Sequence, residues 1–118
     1  MLPAASIRAL GGLLMPYHLA IGLKASSLAV VSEKLRQITG FSSEPHESSF
    51  LGEYYLFQMP EKVQVKYNFV VEQEEWGYPQ HKEYGVLIVA ENTERPDFFR
   101  SLATNLKFEN MVLEEMLW

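Results

Sequence analysis

Apolar and polar residues alternate along two segments of the chain, and a period of two residues is typical of β-strands with one buried face. The first segment covers residues 16–25, where apolar residues at every second position would share a face. The second segment, residues 62–72, alternates most regularly. Its polar face favours an antiparallel sheet with one face exposed to solvent. Its inner face is predicted to hold Val63, Val65, Tyr67, Phe69 and Val71, opposite Gln64, Lys66 and Asn68.

Two more strands are predicted without simple alternation. Residues 50–60 are rich in aromatic residues, and residues 84–91 are continuously apolar, which predicts a central strand buried on both faces. In the aromatic strand we expect Phe50, Tyr54 and Leu56 to face the core, which leaves Glu53 exposed; the alternative places Leu51, Glu53, Tyr55 and Phe57 on the core face. The polar residues 41–49 are predicted to form a loop.

Apolar residues at helical spacing predict two helices. The first follows a cap at Ser26 or Ser27 and ends at Gly40, which can adopt the left-handed conformation of a helix terminus. The second follows a cap at Asn92 or Thr93. The C-terminal segment, residues 108–118, is a helix or a strand, and the spacing of its apolar residues favours a helix.

These elements follow the order β-α-β-β-β-α, with the C-terminal segment as one more helix or strand. The order predicts an α+β fold, a two-layer sandwich in which a mostly antiparallel sheet of about four strands carries helices on one face. The length of 118 residues suits a single domain over residues 1–118. For residues 1–14 three interpretations stay open: a short N-terminal segment, an extension upstream of a natural start at Met15, or a signal peptide.

Charge is unevenly distributed along the chain. Residues 1–40 hold four basic residues and one acidic residue, whereas residues 41–118 hold 14 acidic and six basic residues, and the net charge is −5. Acidity without a basic cluster argues against nucleic acid as a partner. No apolar run is long enough to span a membrane. The absence of cysteine excludes disulfides and thiolate chemistry and suits a cytoplasmic protein.

No motif in the sequence fixes an enzymatic chemistry. The histidines His18, His46 and His81 form no metal-binding pair, and His46 lies between two glutamates in a predicted loop. The serines lie outside any nucleophile elbow, and the glycines lie outside any phosphate-binding loop. We therefore predict no metal, no cofactor and no catalytic residue. Glu53 is the one carboxylate whose burial would make it a candidate acid or base.

Residues 72–84 bring acidic and aromatic residues together between two predicted strands. Tyrosine and tryptophan dominate binding hot spots, and carboxylates beside them steer a basic partner. We expect this segment to be a loop that binds another protein. The whole chain is then predicted to be a small inhibitor or immunity-type protein that blocks a basic partner and has no enzymatic activity. A loop with a purely structural role is the alternative. The predicted binding residues are Glu72, Glu74, Glu75, Trp76, Tyr78 and His81.

Two other functions stay open from the sequence. The first is a small-ligand-binding protein or enzyme on a ferredoxin-like dimer, with a pocket between sheet and helices that includes Glu53 or His18. The second is a homo-oligomer joined through the apolar segment Met111–Trp118, which must pack on its own domain or on a second subunit. The tyrosines expected in the pocket are Tyr54, Tyr55 and Tyr67.

Overall fold

The structure of the protein, a computed structural model, describes residues 16–117. The interpretations of residues 1–14 and the role predicted for Trp118 lie outside the described residues. In chain order the elements are β1 (Tyr17–Leu23), α1 (Leu28–Thr39), β2 (Ser43–Ser48), β3 (Gly52–Gln58), β4 (Lys62–Tyr67), β5 (Phe69–Val70), a 3₁₀ turn (Val71–Gln73), β6 (Glu75–Trp76), β7 (Val86–Thr93), α2 (Pro96–Asn105) and β8 (Asn110–Leu117).

The main sheet has six strands within the described residues, in the order β2-β3-β4-β7-β1-β8, and each neighbouring pair is antiparallel. The predicted α+β class with a mostly antiparallel sheet is therefore confirmed, whereas the prediction of about four strands is wrong. The two edges of the sheet are β2, which was predicted as a loop, and β8, for which a helix was favoured over a strand. Strands β5 and β6 pair with each other in a separate ribbon.

Strand β2 replaces the loop predicted for residues 41–49. It pairs with β3 along its whole length, from Ser43 opposite Phe57 to Ser48 opposite Gly52. Most of its side chains are exposed, so no apolar pattern marks the segment. Pro45 is tolerated because an edge strand needs backbone donors on one side only.

Strand β8 replaces the helix that the spacing of residues 108–118 favoured. It pairs with β1 along its whole length, and this pairing overrides the helix propensity of its Met, Leu and Glu residues. The register shifts between Ala20 and Ile21 of β1, where Leu113 is the extra residue of a bulge. The bulge interrupts the alternation by which a strand is recognised.

The two helices were predicted correctly, but one of their caps was not. Ser27 caps α1 through its side chain, and Gly40 ends the helix with φ of 74°. Helix α2 begins at Pro96. The caps predicted for it at Asn92 or Thr93 are wrong, because both residues still belong to β7. Within residues 16–117 neither helix has the length and apolar character needed to cross a bilayer.

Both helices pack against one face of the sheet and share its main core. Strand β7 contributes buried residues on both faces, which confirms the predicted central strand. Strand β1 is buried on both faces from Leu19 onward, although its pattern predicted only one buried face. The main core includes Leu19, Ile21, Leu23, Val31, Leu35, Phe57, Val63, Val65, Val86, Ile88, Phe99, Leu102 and Leu106.

The opposite face of the sheet is partly covered by residues 77–85, here called the covering loop. Tyr78 of this loop packs against a second buried cluster on that face. Gly22 lies where the loop crosses β1, and a Cβ at this position would lie 2.7 Å from the Cβ of Tyr84. Only glycine allows this close approach. The second cluster consists of Ala20, Leu87 and Val89.

Candidate functional site

The segment between β4 and β7 folds as two parts rather than as one open loop. Its first part, residues 69–76, is here called the ribbon: Phe69 pairs with Trp76, and Val70 pairs with Glu75. Glu74 closes the turn between them with φ of 52°, in the left-handed region. The second part is the covering loop.

Asn68 fixes the point where the two parts meet. Its side-chain Oδ1 accepts a hydrogen bond from the Tyr78 N–H at 2.8 Å, and its Nδ2 donates to the His81 carbonyl at 3.0 Å. Its backbone N–H donates to Gly85, and its carbonyl accepts from Gly77. The alternation predicted a wet side chain here, but Asn68 is 0% exposed. A polar side chain can be buried here because its amide oxygen and nitrogen both form hydrogen bonds, as do its backbone N–H and carbonyl.

The ribbon carries four of the six predicted binding residues. Trp76 is half-buried, with its ring centroid 5.1 Å from that of Phe69. The Lys82 ammonium lies 5.5 Å from the Trp76 ring, within range of a cation–π contact. The ring is thus held in place while part of it stays open to solvent. The exposed carboxylates of the ribbon are Glu72, Glu74 and Glu75.

The other two predicted residues, Tyr78 and His81, belong to the covering loop, and Tyr78 packs against the sheet. The half-buried Tyr78 donates a hydrogen bond from its hydroxyl to Glu114 Oε1 at 2.6 Å. Burial and this hydrogen bond to a carboxylate raise the pKa of Tyr78 above its ordinary value. His18 also contacts Glu114, at 3.4 Å, and His81 packs beside Tyr84 with ring centroids 6.3 Å apart. Tyr78 therefore holds the covering loop against the sheet, whereas the His81 side chain contacts residues of the loop itself.

A depression of about 390 Å³, here called the tyrosine groove, lies between the start of α1 and strands β2 to β4. The rings of Tyr55 and Tyr67 are partly buried against the main core. The Tyr67 hydroxyl accepts a hydrogen bond from the Leu28 N–H at 3.3 Å, which ties the ring to the helix. Tyr54, Glu47 and Glu53 also line the groove, so the tyrosines expected in a pocket are together. His18 is not among its lining residues.

Glu53 is exposed, as predicted, but for a different reason. The core face of β3 carries Tyr55 and Phe57 rather than Tyr54 and Leu56. Glu53 shares the face of Tyr55 and Phe57. It stays exposed because it lies in the groove beside the start of α1, where no core residue covers it.

A second depression of about 270 Å³ continues from the tyrosine groove to the ribbon, where Val71 and Glu72 line it. The Gln73 side chain donates a hydrogen bond to the Ser49 carbonyl at 2.7 Å, which holds the ribbon beside the β2–β3 turn. That turn exposes Phe50, 77% accessible, and the ribbon exposes Val71, 69% accessible. Both side chains lie on segments that the Gln73–Ser49 hydrogen bond holds side by side, so they offer apolar area on the same side of the molecule.

The arrangement combines carboxylates, aromatic rings and open apolar side chains on one side of the molecule. Within residues 16–117 no three histidine, aspartate or glutamate side chains gather closely enough to hold a metal ion. Neither the known protein-family models nor the curated proteins contain a match to this chain.

Proposed function

We propose that the protein binds a basic protein and inhibits it by covering its functional surface. The supporting observation is the location of the carboxylates that have no ion-pair partner. Within the described residues, five carboxylates form ion pairs with lysine or arginine, and three more lie within 4.0 Å of a histidine nitrogen. Five that form none are found on β2, β3 and the ribbon: Glu47, Glu53, Glu72, Glu74 and Glu75.

Carboxylates without a paired cation leave a negative potential that draws in a basic partner and speeds its association. Trp76 would anchor the contact, since tryptophan buries a large area at a small loss of conformational entropy. Phe50 and Val71 would add apolar area beside it. In this proposal the protein is a cytoplasmic two-layer sandwich of the immunity type, without an active site or cofactor of its own.

Capture of binding partners by the immobilised full chain tests the proposal. The wild type is compared with Trp76→Ala and with a triple variant, Glu72→Gln with Glu74→Gln and Glu75→Gln. We expect both variants to lose the partner, with the affinity falling by about 30-fold for a hot-spot tryptophan. The captured protein should be basic, and its binding should weaken as salt is raised.

A second triple variant serves as the control for net charge. Glu33→Gln, Asp97→Asn and Glu109→Gln remove the same number of charges from ion-paired surface positions away from the ribbon. This variant should capture the partner as the wild type does. Equal recovery by the wild type, the ribbon triple variant and Trp76→Ala would exclude the ribbon as the binding surface.

A homo-oligomer is the second candidate function. Strand β8 is a sheet edge, and within the described residues no strand pairs with its outer side. Three apolar side chains of this edge are exposed: Met111, Met116 and Leu117. Such an edge can pair with a second chain. Light scattering that gives a monomer mass at high concentration would exclude this function.

A further inference from the structure

The tyrosine groove contains a pair of like charges that the fold does not compensate. Glu47 and Glu53 lie directly opposite each other in the β2–β3 register. Like charges at opposed positions of an antiparallel pair repel each other. Neither carboxylate has an ion-pair partner among the described residues. No lysine or arginine lines the groove, and its histidine, His46, lies 3.6 Å from Glu44 rather than between the two carboxylates. A cation placed between them would remove the repulsion.

The aromatic floor of the groove is suited to the same kind of ligand. Tyr67 is fixed by its hydrogen bond with the Leu28 N–H, and Tyr55 packs against the core, so both rings are held in place. The guanidinium carbon of Arg36 lies 5.8 Å from the Tyr55 ring centroid, so this ring already contacts one guanidinium group. Tyrosine faces attract cations through the ring quadrupole.

We propose that the tyrosine groove receives an arginine side chain of the basic partner protein. Its guanidinium would lie between Glu47 and Glu53, with its plane against Tyr55 or Tyr67. Arginine is favoured over lysine because a planar guanidinium both stacks on a ring and donates paired hydrogen bonds to carboxylates. The volume of about 390 Å³ is in the range of pockets that hold side-chain-sized groups. This inference rests on the proposed function and identifies one group that the partner must supply.

Titration with a minimal probe tests the groove directly. ¹⁵N-labelled full chain is titrated with N-acetyl-arginine amide and with N-acetyl-citrulline amide, which has the same shape without the charge. We expect saturable chemical-shift changes around Glu53, Tyr55 and Tyr67 with the arginine probe alone. Equal shifts with both probes, or no shifts in the groove, would overturn the inference.

Matched variants assign the effect to the carboxylates. The double variant Glu47→Gln with Glu53→Gln should bind the arginine probe at least about fivefold more weakly, because it removes two charged acceptors. Asp97→Asn should bind the probe as the wild type does, since Asp97 is an exposed residue of α2 and does not line the groove. All three substitutions are at exposed positions, and unchanged amide spectra without probe will show that the fold is intact.

Partner capture separates this inference from the proposed function. If the double variant captures the basic partner as strongly as the wild type does, the groove does not hold a partner arginine, although the proposed function stands. If the ribbon triple variant loses no partner, the proposed ribbon contact fails whatever the groove does. Loss of capture in the double variant together with loss of probe binding supports the inference.

Discussion

Replacement of Asn68 by alanine should unfold the junction between the ribbon and the covering loop. The side chain is fully buried and forms two strong hydrogen bonds, with the Tyr78 N–H at 2.8 Å and the His81 carbonyl at 3.0 Å. Leaving one buried backbone group unsatisfied costs about 1–3 kcal/mol. Because Tyr78 and His81 are only half-buried, water can reach part of the site, and we take the lower half of that range for each group. The expected loss is about 2–4 kcal/mol in the free energy of unfolding.

Urea denaturation of Asn68→Ala, followed by tryptophan fluorescence and by far-ultraviolet circular dichroism, measures this loss. Such a loss is a large share of the roughly 5–15 kcal/mol that stabilises an ordinary domain. Asn105→Ala removes the same side chain from an exposed site on α2 and should change stability by less than about 0.5 kcal/mol. If Asn68→Ala is as stable as Asn105→Ala, the junction does not depend on this side chain and the explanation is wrong.

Three further substitutions test other parts of the fold. Glu53→Gln should raise the free energy of unfolding by about 0.2–1 kcal/mol in urea titrations, because it removes the repulsion from Glu47; a loss of stability would contradict this. Gly22→Ala should lower the melting temperature by an amount that corresponds to about 1–3 kcal/mol, since the new Cβ overlaps the covering loop. Glu61 is buried, which raises its pKa, but hydrogen bonds from Arg95 and from a threonine hydroxyl outweigh burial and lower the pKa below 4.5. Because the pKa is lower in the folded state, ionised Glu61 stabilises the fold above about pH 4.5, and this stabilisation is lost as the pH falls through the folded-state pKa. Glu61→Gln should therefore have a lower free energy of unfolding at pH 7, and that free energy should depend less on pH in the acid range.

Sequence predicts the elements whose apolar residues mark the faces that are buried. Helix α1 buries Leu28, Val31 and Leu35 at helical spacing, and β7 is buried on both faces, as its continuous apolar run predicts. In β4 the alternating Val63 and Val65 are buried, but Gln64 between them is buried as well. Strand β2 has almost no buried residue, so its sequence carries no hydrophobic signal, and only its pairing with β3 makes it a strand. In β8 the bulge at Leu113 breaks the alternation. In both edge strands the sequence pattern therefore fails to indicate the structure.

The sequence indicated which residues of the candidate site are exposed, but not which of them are buried. Glu72, Glu74 and Glu75 are exposed to solvent, as a cluster of charged residues in the sequence predicts. Tyr78 is close to them in sequence but packs against the sheet, and the side chain of Asn68 holds the backbone of residues 78 and 81 in place. Nothing local distinguishes an asparagine that organises a loop from one that faces water.

The grouping of residues in the tyrosine groove required the tertiary structure, because they come from separate elements. Glu47 lies in a segment that the pattern predicts as a loop, and it meets Glu53 only through the β2–β3 register. That register places two unpaired carboxylates face to face although most other carboxylates of the described chain have a basic neighbour. A repulsive pair lowers stability, and a single substitution to glutamine would relieve it. Under the proposed function, the pair is retained because the arginine of the proposed partner lies between the two carboxylates.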